Sequence, residues 1–242
     1  MRLLGAELLK IWTAPRTLLG ILLAEVAIVL IGTISTLHDA TRGPVLPSSL
    51  SHDIATMGGV ALLFTTLLGV LISTTEYRHG TITQAFLATP VREKLIGAKT
   101  AAAVVAGLLL ALPAVLLPLV IAEIWVGDRA GYDIGGHEWG LIGRLFLGAA
   151  IVAVFGVFVG ASLKRQLGAI ILILGWLIFF EPAFAALVDG AKDYLAGRAI
   201  GGVLGDTGSD VPSFGHSIAV LAAYLVGLGA IAVFLTRRRD IT

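Results

Sequence analysis

The chain has 242 residues, of which 57% are hydrophobic and 14% charged, and its formal net charge is +1. Soluble domains are about half apolar and a quarter charged, so this composition indicates apolar surfaces that face lipid. The near-neutral balance gives no sign of nucleic-acid binding. Because these residues include no cysteine, a disulfide framework, a thiolate metal site and a cysteine nucleophile are excluded.

Residues 1–15 are predicted to form an amphipathic helix that lies in the membrane interface. Its charged residues Arg2, Glu7 and Lys10 lie opposite an apolar face on a helical wheel. That apolar face consists of Leu4, Leu8, Ile11 and Trp12. Such a helix lies flat with its tryptophan near the headgroups. A frayed tail is the alternative interpretation.

Six apolar windows follow, and each is long enough to cross a membrane. A spanning helix needs roughly 20 apolar residues, because the hydrocarbon is about 30 Å thick and the helix rises about 1.5 Å per residue. The windows cover residues 17–37, 54–74, 95–122, 141–163, 167–188 and 216–236. We therefore predict an all-α membrane protein with six transmembrane helices and a single transmembrane domain over residues 1–242.

The positive charges predict the orientation of these spans, since cytoplasmic loops carry an excess of lysine and arginine. With a cytoplasmic N-terminus, 12 of the 17 basic residues lie inside. Those left outside are Arg42, Arg129, Arg144, Lys192 and Arg198. Both termini are thus predicted to be cytoplasmic, in a multi-pass protein of a bacterial plasma membrane.

The segment between the second and third spans, EYRHGTITQAFLATPVREK, is polar and ordered in pattern. Gly80 is expected to break the second helix, and Thr81 to cap a short helix that ends before Pro90. Ile82, Ala85, Phe86 and Thr89 then share one face at helical spacing. A solvated loop would be an unusual place for Ile82 and Phe86, which favours a knob that docks a soluble partner.

This segment resembles the cytoplasmic loop of ATP-binding-cassette (ABC) type-2 exporter permeases. The residues that carry the resemblance are Glu76, Gly80, Thr81, Leu87, Pro90, Arg92 and Lys99. The amphipathic N-terminal helix and the six spans agree with the layout of that family. The resemblance implies that the short helix is a coupling helix touching a cytoplasmic ATPase. The implied contact residues are Glu76, His79, Gly80, Thr81, Phe86 and Pro90.

The resemblance also implies the partners of the chain. Two permeases, identical or homologous, pair in the lipid bilayer, and each rests on one copy of the ATPase. ATP and Mg belong to that ATPase, and no cofactor is expected on this chain. The sequence agrees, because it contains no Gly-Lys dipeptide for a phosphate-binding loop, no G-x-S-x-G and no H-E-x-x-H. The expected substrate is a hydrophobic or amphipathic drug, peptide or lipid.

Two carboxylates fall within the predicted spans. Glu25 lies in the first span, where an unpaired charge costs roughly 3 kcal/mol or more. It is interpreted either as part of a substrate path or as a structural hydrogen bond between helices. Glu181 precedes Pro182 in the fifth span. The proline predicts a broken helix with a re-entrant piece after it, or else an early helix end with Glu181 in the headgroups.

Other functions remain open from the residues alone. The first rival is a proton-coupled secondary transporter that uses Glu25 and Glu181 as carriers, although inverted repeats are not evident. An intramembrane enzyme is disfavoured, because no nucleophile is paired with a base. A non-transporting anchor or regulatory subunit is a further alternative.

Gly156 and Gly160 form a small-x-x-x-small pair in the fourth span. Such pairs allow two helices to approach closely. We expect the partner helix to belong to the same chain rather than to a second copy.

Overall fold

The computed structural model describes residues 2–13, 15–89, 91–129, 131–188, 190–206 and 211–238. Over these ranges the protein is built from helices and contains no strand. The helices are α1 (Arg2–Thr13), α2 (Pro15–Ala40), α3 (Leu50–Thr56), α4 (Ala61–Arg78), α5 (Ile82–Ala88), α6 (Arg92–Val126), α7 (Gly136–Leu163), α8 (Gln166–Gly175), α9 (Glu181–Leu187), α10 (Ala196–Leu204) and α11 (Phe214–Arg238).

The predicted six membrane-length helices are confirmed in the described part of the chain. The second comprises α3, a 3₁₀ turn over Met57–Val60 and α4, while the fifth joins α8 to α9. The remaining four are α2, α6, α7 and α11. Most of the observed helices extend beyond the apolar windows, and the largest extension is at the second span, which was predicted at 54–74 and covers Leu50–Arg78. Helices are longer than the apolar windows because polar residues continue the same backbone hydrogen bonding past the hydrocarbon.

The centre of the bundle is the crossing of α4 and α7, its two most buried spans. A Cβ added at Gly156 would overlap the backbone carbonyl oxygen of Thr66, and one added at Gly69 would overlap that of Ala153. At Gly160 an added Cβ would lie 3.1 Å from the carbonyl oxygen of Val70. Glycines on both helices therefore bring the two backbones together, and Gly156 and Gly160 pack within one chain as predicted.

Polar contacts define two ends of the bundle. At one end, Arg78 Nη1 donates to Gln166 Oε1 at 3.1 Å and Arg92 Nη1 donates to the carbonyl of Thr236 at 2.7 Å. This end carries α5, and we call it the α5 end. At the other, the backbone N–H of Asp133 donates to Ser51 Oγ at 3.1 Å. The second end carries α10, and we call it the α10 end.

The fifth span departs from the predicted break at Pro182. The helix continues from Gln166 to Leu187, and a π-helical turn occupies Trp176–Phe180 just before the proline. The backbone N–H of Glu181 reaches back to the carbonyl of Trp176. Because a π turn shifts hydrogen bonds by one residue, the helix accommodates Pro182, which has no N–H to donate. The re-entrant piece predicted after the proline is instead part of the helix α9, which ends at Leu187.

The segment at 189–215 is rich in glycine, a composition that disfavours a long regular helix, and its described residues contain a short one. A 3₁₀ turn over Ala191–Tyr194 leads into the nine-residue α10. Ala199 and Val203 on α10 are buried against Val220 and Leu221 on α11. α10 thus covers this end of the bundle over α7 and α11.

The α4–α7 crossing predicts a strong effect of Gly156→Ala. The new methyl group meets backbone rather than a flexible side chain, so overpacking should lower the free energy of unfolding by about 2 kcal/mol or more. Thermal unfolding in detergent measures it. Gly140→Ala, at an open position on the same helix, is the matched control and should be neutral or slightly stabilising. Equal melting of the two variants would contradict the packing described here.

Candidate functional site

The turn between α4 and α5 is a Schellman motif. Gly80 adopts φ +69°, the left-handed region that glycine reaches without steric cost. The N–H of Thr81 donates to the carbonyl of Glu76 at 3.0 Å, and that of Gly80 to the carbonyl of Tyr77 at 3.4 Å. These are the two bonds that define the motif. Gly80 thus ends α4 as predicted, whereas Thr81 occupies the N-cap of α5 without making a side-chain cap bond.

α5 divides its apolar residues between the bundle and solvent. Phe86 is half-buried, and the guanidinium of Arg92 lies 5.0 Å from its ring centroid. Leu87, by contrast, is 78% exposed. Leu87 is therefore more accessible than Phe86 to a partner, and it is the stronger candidate for an external contact. The sequence analysis placed Leu87 in the family pattern but chose Phe86 as the knob.

Four charged side chains form a closed ring at the α5 end, which we call the ion ring: Glu7, Lys10, Glu76 and Lys99. Lys10 Nζ lies 2.5 Å from Glu7 Oε1 and 2.6 Å from Glu76 Oε1. Lys99 Nζ lies 3.1 Å from Glu7 Oε2 and 3.0 Å from Glu76 Oε2. Each acid therefore contacts both bases, and the formal charges sum to zero.

The ion ring joins three helices that are far apart in sequence. Glu7 and Lys10 lie on α1, Glu76 on the last turn of α4, and Lys99 on the first turns of α6. Lys99 also donates to the carbonyl of Ile72 at 3.2 Å. The ring thus fixes α1 to the two helices that flank α5.

Burial makes this pairing obligatory. Glu7, Glu76 and Lys99 are 2%, 7% and 4% exposed. An isolated ion at such depth costs several kcal/mol, and a buried pair is tolerated only when each charge is compensated. Burial disfavours the charged form of Lys10, but its hydrogen bonds to Glu7 and Glu76 outweigh burial and raise its pKa. Lys10 accordingly stays charged at neutral pH.

A cavity of about 290 Å³ lies beside the ion ring, between α1, α2, α4, α6 and α8. Lys10, Lys99 and His79 contribute polar atoms to its wall, while Leu68 and Ile72 make it partly apolar. The His79 ring nitrogen Nδ1 is 2.9 Å from the carbonyl of Thr75. Across the described ranges, no three His, Asp or Glu side chains converge in a way that could hold a metal ion.

The six residues predicted to contact an ATPase occupy different surroundings. Glu76 lies inside the ion ring rather than on the loop surface. His79, Gly80 and Thr81 form the exposed turn, and Phe86 packs against Arg92. Pro90 lies outside the described residues.

The sequence analysis missed the roles of Glu7 and Lys10 in the ion ring. It placed both on the charged face of an interfacial helix, yet Glu7 is buried while Leu9 and Trp12 of α1 are exposed. One signal was available, because a lysine at position 99 lies inside an apolar span and requires an acidic partner. Which acids supply it depends on how the helices pack.

Glu25 and Glu181, the two carboxylates of the predicted substrate path, are both buried but have different surroundings. Glu25 is 0% exposed, and neither carboxyl oxygen has a hydrogen-bond partner among the described residues. Glu181 is 6% exposed, and its Oε1 accepts a hydrogen bond of 2.9 Å from the backbone N–H of Arg198. Arg198 is in the first turn of α10, where N–H groups lack partners within the helix. Glu181 therefore caps α10, and the chain does not bring the two carboxylates together.

No protein-family model, curated protein or solved structure matches this chain. The class of protein must therefore be inferred from features of the chain itself. These are the six membrane-length helices, the short α5 beyond two of them, and the ion ring, which includes two side chains of α1.

Removal of one charge from the ion ring should be costly. Lys99→Met leaves Glu7 and Glu76 with a single, half-exposed base, and we expect a loss of about 3–5 kcal/mol in the free energy of unfolding. Thermal unfolding in detergent provides the measurement. Lys94→Met, at an exposed position one helical turn or so away, should change stability by less than about 0.5 kcal/mol.

A second change tests whether charge balance is the cause. Glu7→Gln in the Lys99→Met background returns the cluster to neutrality, so the double variant should recover part of the loss. A double variant less stable than Lys99→Met alone would refute the pairing.

Proposed function

We propose that this chain is the permease subunit of an ATP-driven exporter of the ABC type-2 class. The observation that carries the proposal is α5, a short helix beyond the ends of α4 and α6 with Leu87 exposed to solvent. The six membrane-length helices and the resemblance of residues 76–99 to the coupling loop of that family support it. The α5 end is assigned to the cytoplasm by the distribution of lysine and arginine.

In this function, α5 receives the motion of a cytoplasmic ATPase. Leu87 and Phe86 provide its apolar contact, and the Schellman turn at Gly80 holds α5 at a fixed angle to α4. Arg92 ties Phe86 to α6 and, through the carbonyl of Thr236, to α11. A push on α5 is therefore passed to several spans, and the ion ring carries it to α1.

The partners follow from the same proposal. Two permeases, identical or homologous, pair in the bilayer, and two ATPase copies bind ATP and Mg below them. The nearly apolar spans suit a hydrophobic or amphipathic substrate, such as a drug, a peptide or a lipid. His79, Gly80 and Thr81 support the contact from the exposed turn, and Glu76 supports it from within the ion ring.

The proton-coupled alternative has weaker support. It required two intramembrane carriers, and the carboxylate of Glu181 is engaged by the N-terminus of α10. Among the described residues, both carboxyl oxygens of Glu25 lack a hydrogen-bond partner, whereas Glu181 lacks one only for Oε2. The bond that Glu181 accepts through Oε1 gives this carboxylate a structural role at the start of α10.

Leu87→Asp should uncouple the ATPase from transport, because a charge at the centre of an apolar contact loses its hydration when the partner docks. The chain is expressed together with a candidate ABC ATPase, and copurified ATPase and ATP-dependent export from vesicles are measured. We expect at least a tenfold loss of both, and a similar effect of Phe86→Asp.

Val45→Asp is the matched control, since Val45 is 77% exposed on the α10 end. It should retain both activities. Undiminished export by Leu87→Asp, or an equal loss from Val45→Asp, would refute the proposed contact.

The orientation has its own test, made simple by the absence of cysteine. Val45→Cys should react with a membrane-impermeant maleimide on intact cells, whereas Leu87→Cys should react only after permeabilisation. Labelling of Leu87→Cys from outside would place α5 on the wrong side of the membrane for an ATPase and would end the proposal.

A further inference from the structure

A second cavity, of about 310 Å³, lies within the membrane-spanning part of the chain and away from the ion ring. It is bounded by α4, α7, α8, the π turn, α10 and α11. Its wall is almost entirely hydrocarbon and aromatic, with Val152 and Phe155 from α7, Leu172 from α8 and Leu221 from α11. The cavity has the size of a small-ligand site.

The two hydroxyl groups in this wall are already committed. Thr66 Oγ1 donates to the carbonyl of Leu62 at 2.7 Å, and the Tyr224 hydroxyl donates to the carbonyl of Tyr194 at 3.2 Å. The wall has no charged side chain. A ligand with polar groups would therefore lose its hydration without new partners, and the chemistry that fits is pure hydrocarbon.

Neither water nor vacuum suits such a space. A buried water needs two to four polar partners, and an engineered apolar cavity of about 150 Å³ stays dry and binds benzene instead. An empty cavity of twice that volume would leave its lining atoms without contacts on one side. Occupation by hydrocarbon restores those contacts.

The cavity reaches the surface that faces lipid. Leu172 and Leu177 line it and are nevertheless 50% and 36% exposed. They belong to the fifth span, which with the sixth is among the least buried spans of the bundle. The opening therefore lies between α8 and α11, and the molecules that meet it there are the acyl chains of the bilayer.

The shape of the cavity also suits a chain end. Along α11 it extends from Leu221 to Leu228, which is about 10 Å at 1.5 Å per residue. Ala196 and Ile200 of α10 cover the cavity on the side of the α10 end. A polar headgroup cannot pass these α10 residues. An acyl chain must therefore enter from the side that faces lipid, with its headgroup left outside the cavity.

We propose that this cavity binds one acyl chain of a membrane lipid, taken in laterally between α8 and α11. The π turn contributes to the site, since Trp176 and Leu177 at its start form part of the wall. The bound chain fills the space between α8 and α11 and couples their packing to the surrounding lipid. This inference is independent of the ATPase, and its failure would leave the proposed function untouched.

Photo-crosslinking of the unaltered chain in detergent tests the proposal. The probe is a palmitic acid with a diazirine near its methyl end, and labelled residues are mapped by mass spectrometry. We expect labels on Phe155, Leu172 or Leu221, reduced at least tenfold by excess lysophosphatidylcholine. Labels confined to outward-facing residues such as Ile171 would overturn the site. Competition by palmitate but not by lysophosphatidylcholine would overturn the assignment to a membrane lipid.

A cavity-filling variant gives an independent readout. Val152→Phe adds a ring at a buried wall position and should lower labelling inside the cavity at least tenfold, while labelling of the outer surface stays unchanged. Ile171→Phe adds the same ring at a 60% exposed position on α8 and should preserve both. Full labelling of the cavity in a folded Val152→Phe variant would refute the proposal. If that variant fails to fold, the map of the unaltered chain decides.

Discussion

The ion ring is the constraint on which the α5 end of this protein depends. Two acids and two bases meet at this end of the bundle, and three of the four side chains are shielded from water. Charges in such surroundings are stable only as a set, because the loss of one leaves another without compensation. Helices α1, α4 and α6 are consequently held in one arrangement at this end.

That arrangement gives α5 a rigid base. A seven-residue helix has little stability of its own, because ordering the first helical turn costs more conformational entropy than its one hydrogen bond offsets. The Schellman turn, the contact between Arg92 and Phe86, and the flanking helices fixed by the ion ring supply what α5 lacks. A short helix held in this way can transmit force, whereas a flexible loop of the same composition would absorb it.

The α10 end is organised by a different requirement, the satisfaction of backbone hydrogen bonds next to the hydrocarbon. Pro182 removes one donor from the fifth span, and the π turn before it keeps the helix intact. Glu181 then supplies an acceptor to the first turn of α10. The same segment places Trp176 and Leu177 at the apolar cavity, so one irregularity serves both the continuity of the span and the shape of the cavity.

Between the two ends, the protein has little polar structure, and close backbone packing replaces it. Gly69 and Gly156 let α4 and α7 approach until each backbone lies against the other. In lipid this contact matters more than the burial of large apolar side chains, because lipid tails are as apolar as the side chains themselves.

The sequence by itself determined the helical class, the number of spans and the helix break at Gly80. These features depend on the run length of apolar residues and on the conformational freedom of a single glycine, both of which are local. The close packing at Gly156 and Gly160 was also readable, because small residues four apart serve one purpose in a membrane helix.

Only the tertiary structure decided the partners of the buried charges. A lysine within an apolar span, such as Lys99, requires an acidic partner. Its partners Glu7 and Glu76 are 92 and 23 residues away from it in sequence, and no local pattern selects them. The same holds for Glu181, whose partner is the first turn of α10. That helix lies in a glycine-rich stretch with no clear helical signal in the sequence. For a related reason, the sequence did not decide whether the fifth span breaks at Pro182. A proline removes a donor wherever it stands, but whether the helix breaks or widens depends on the packing that surrounds it.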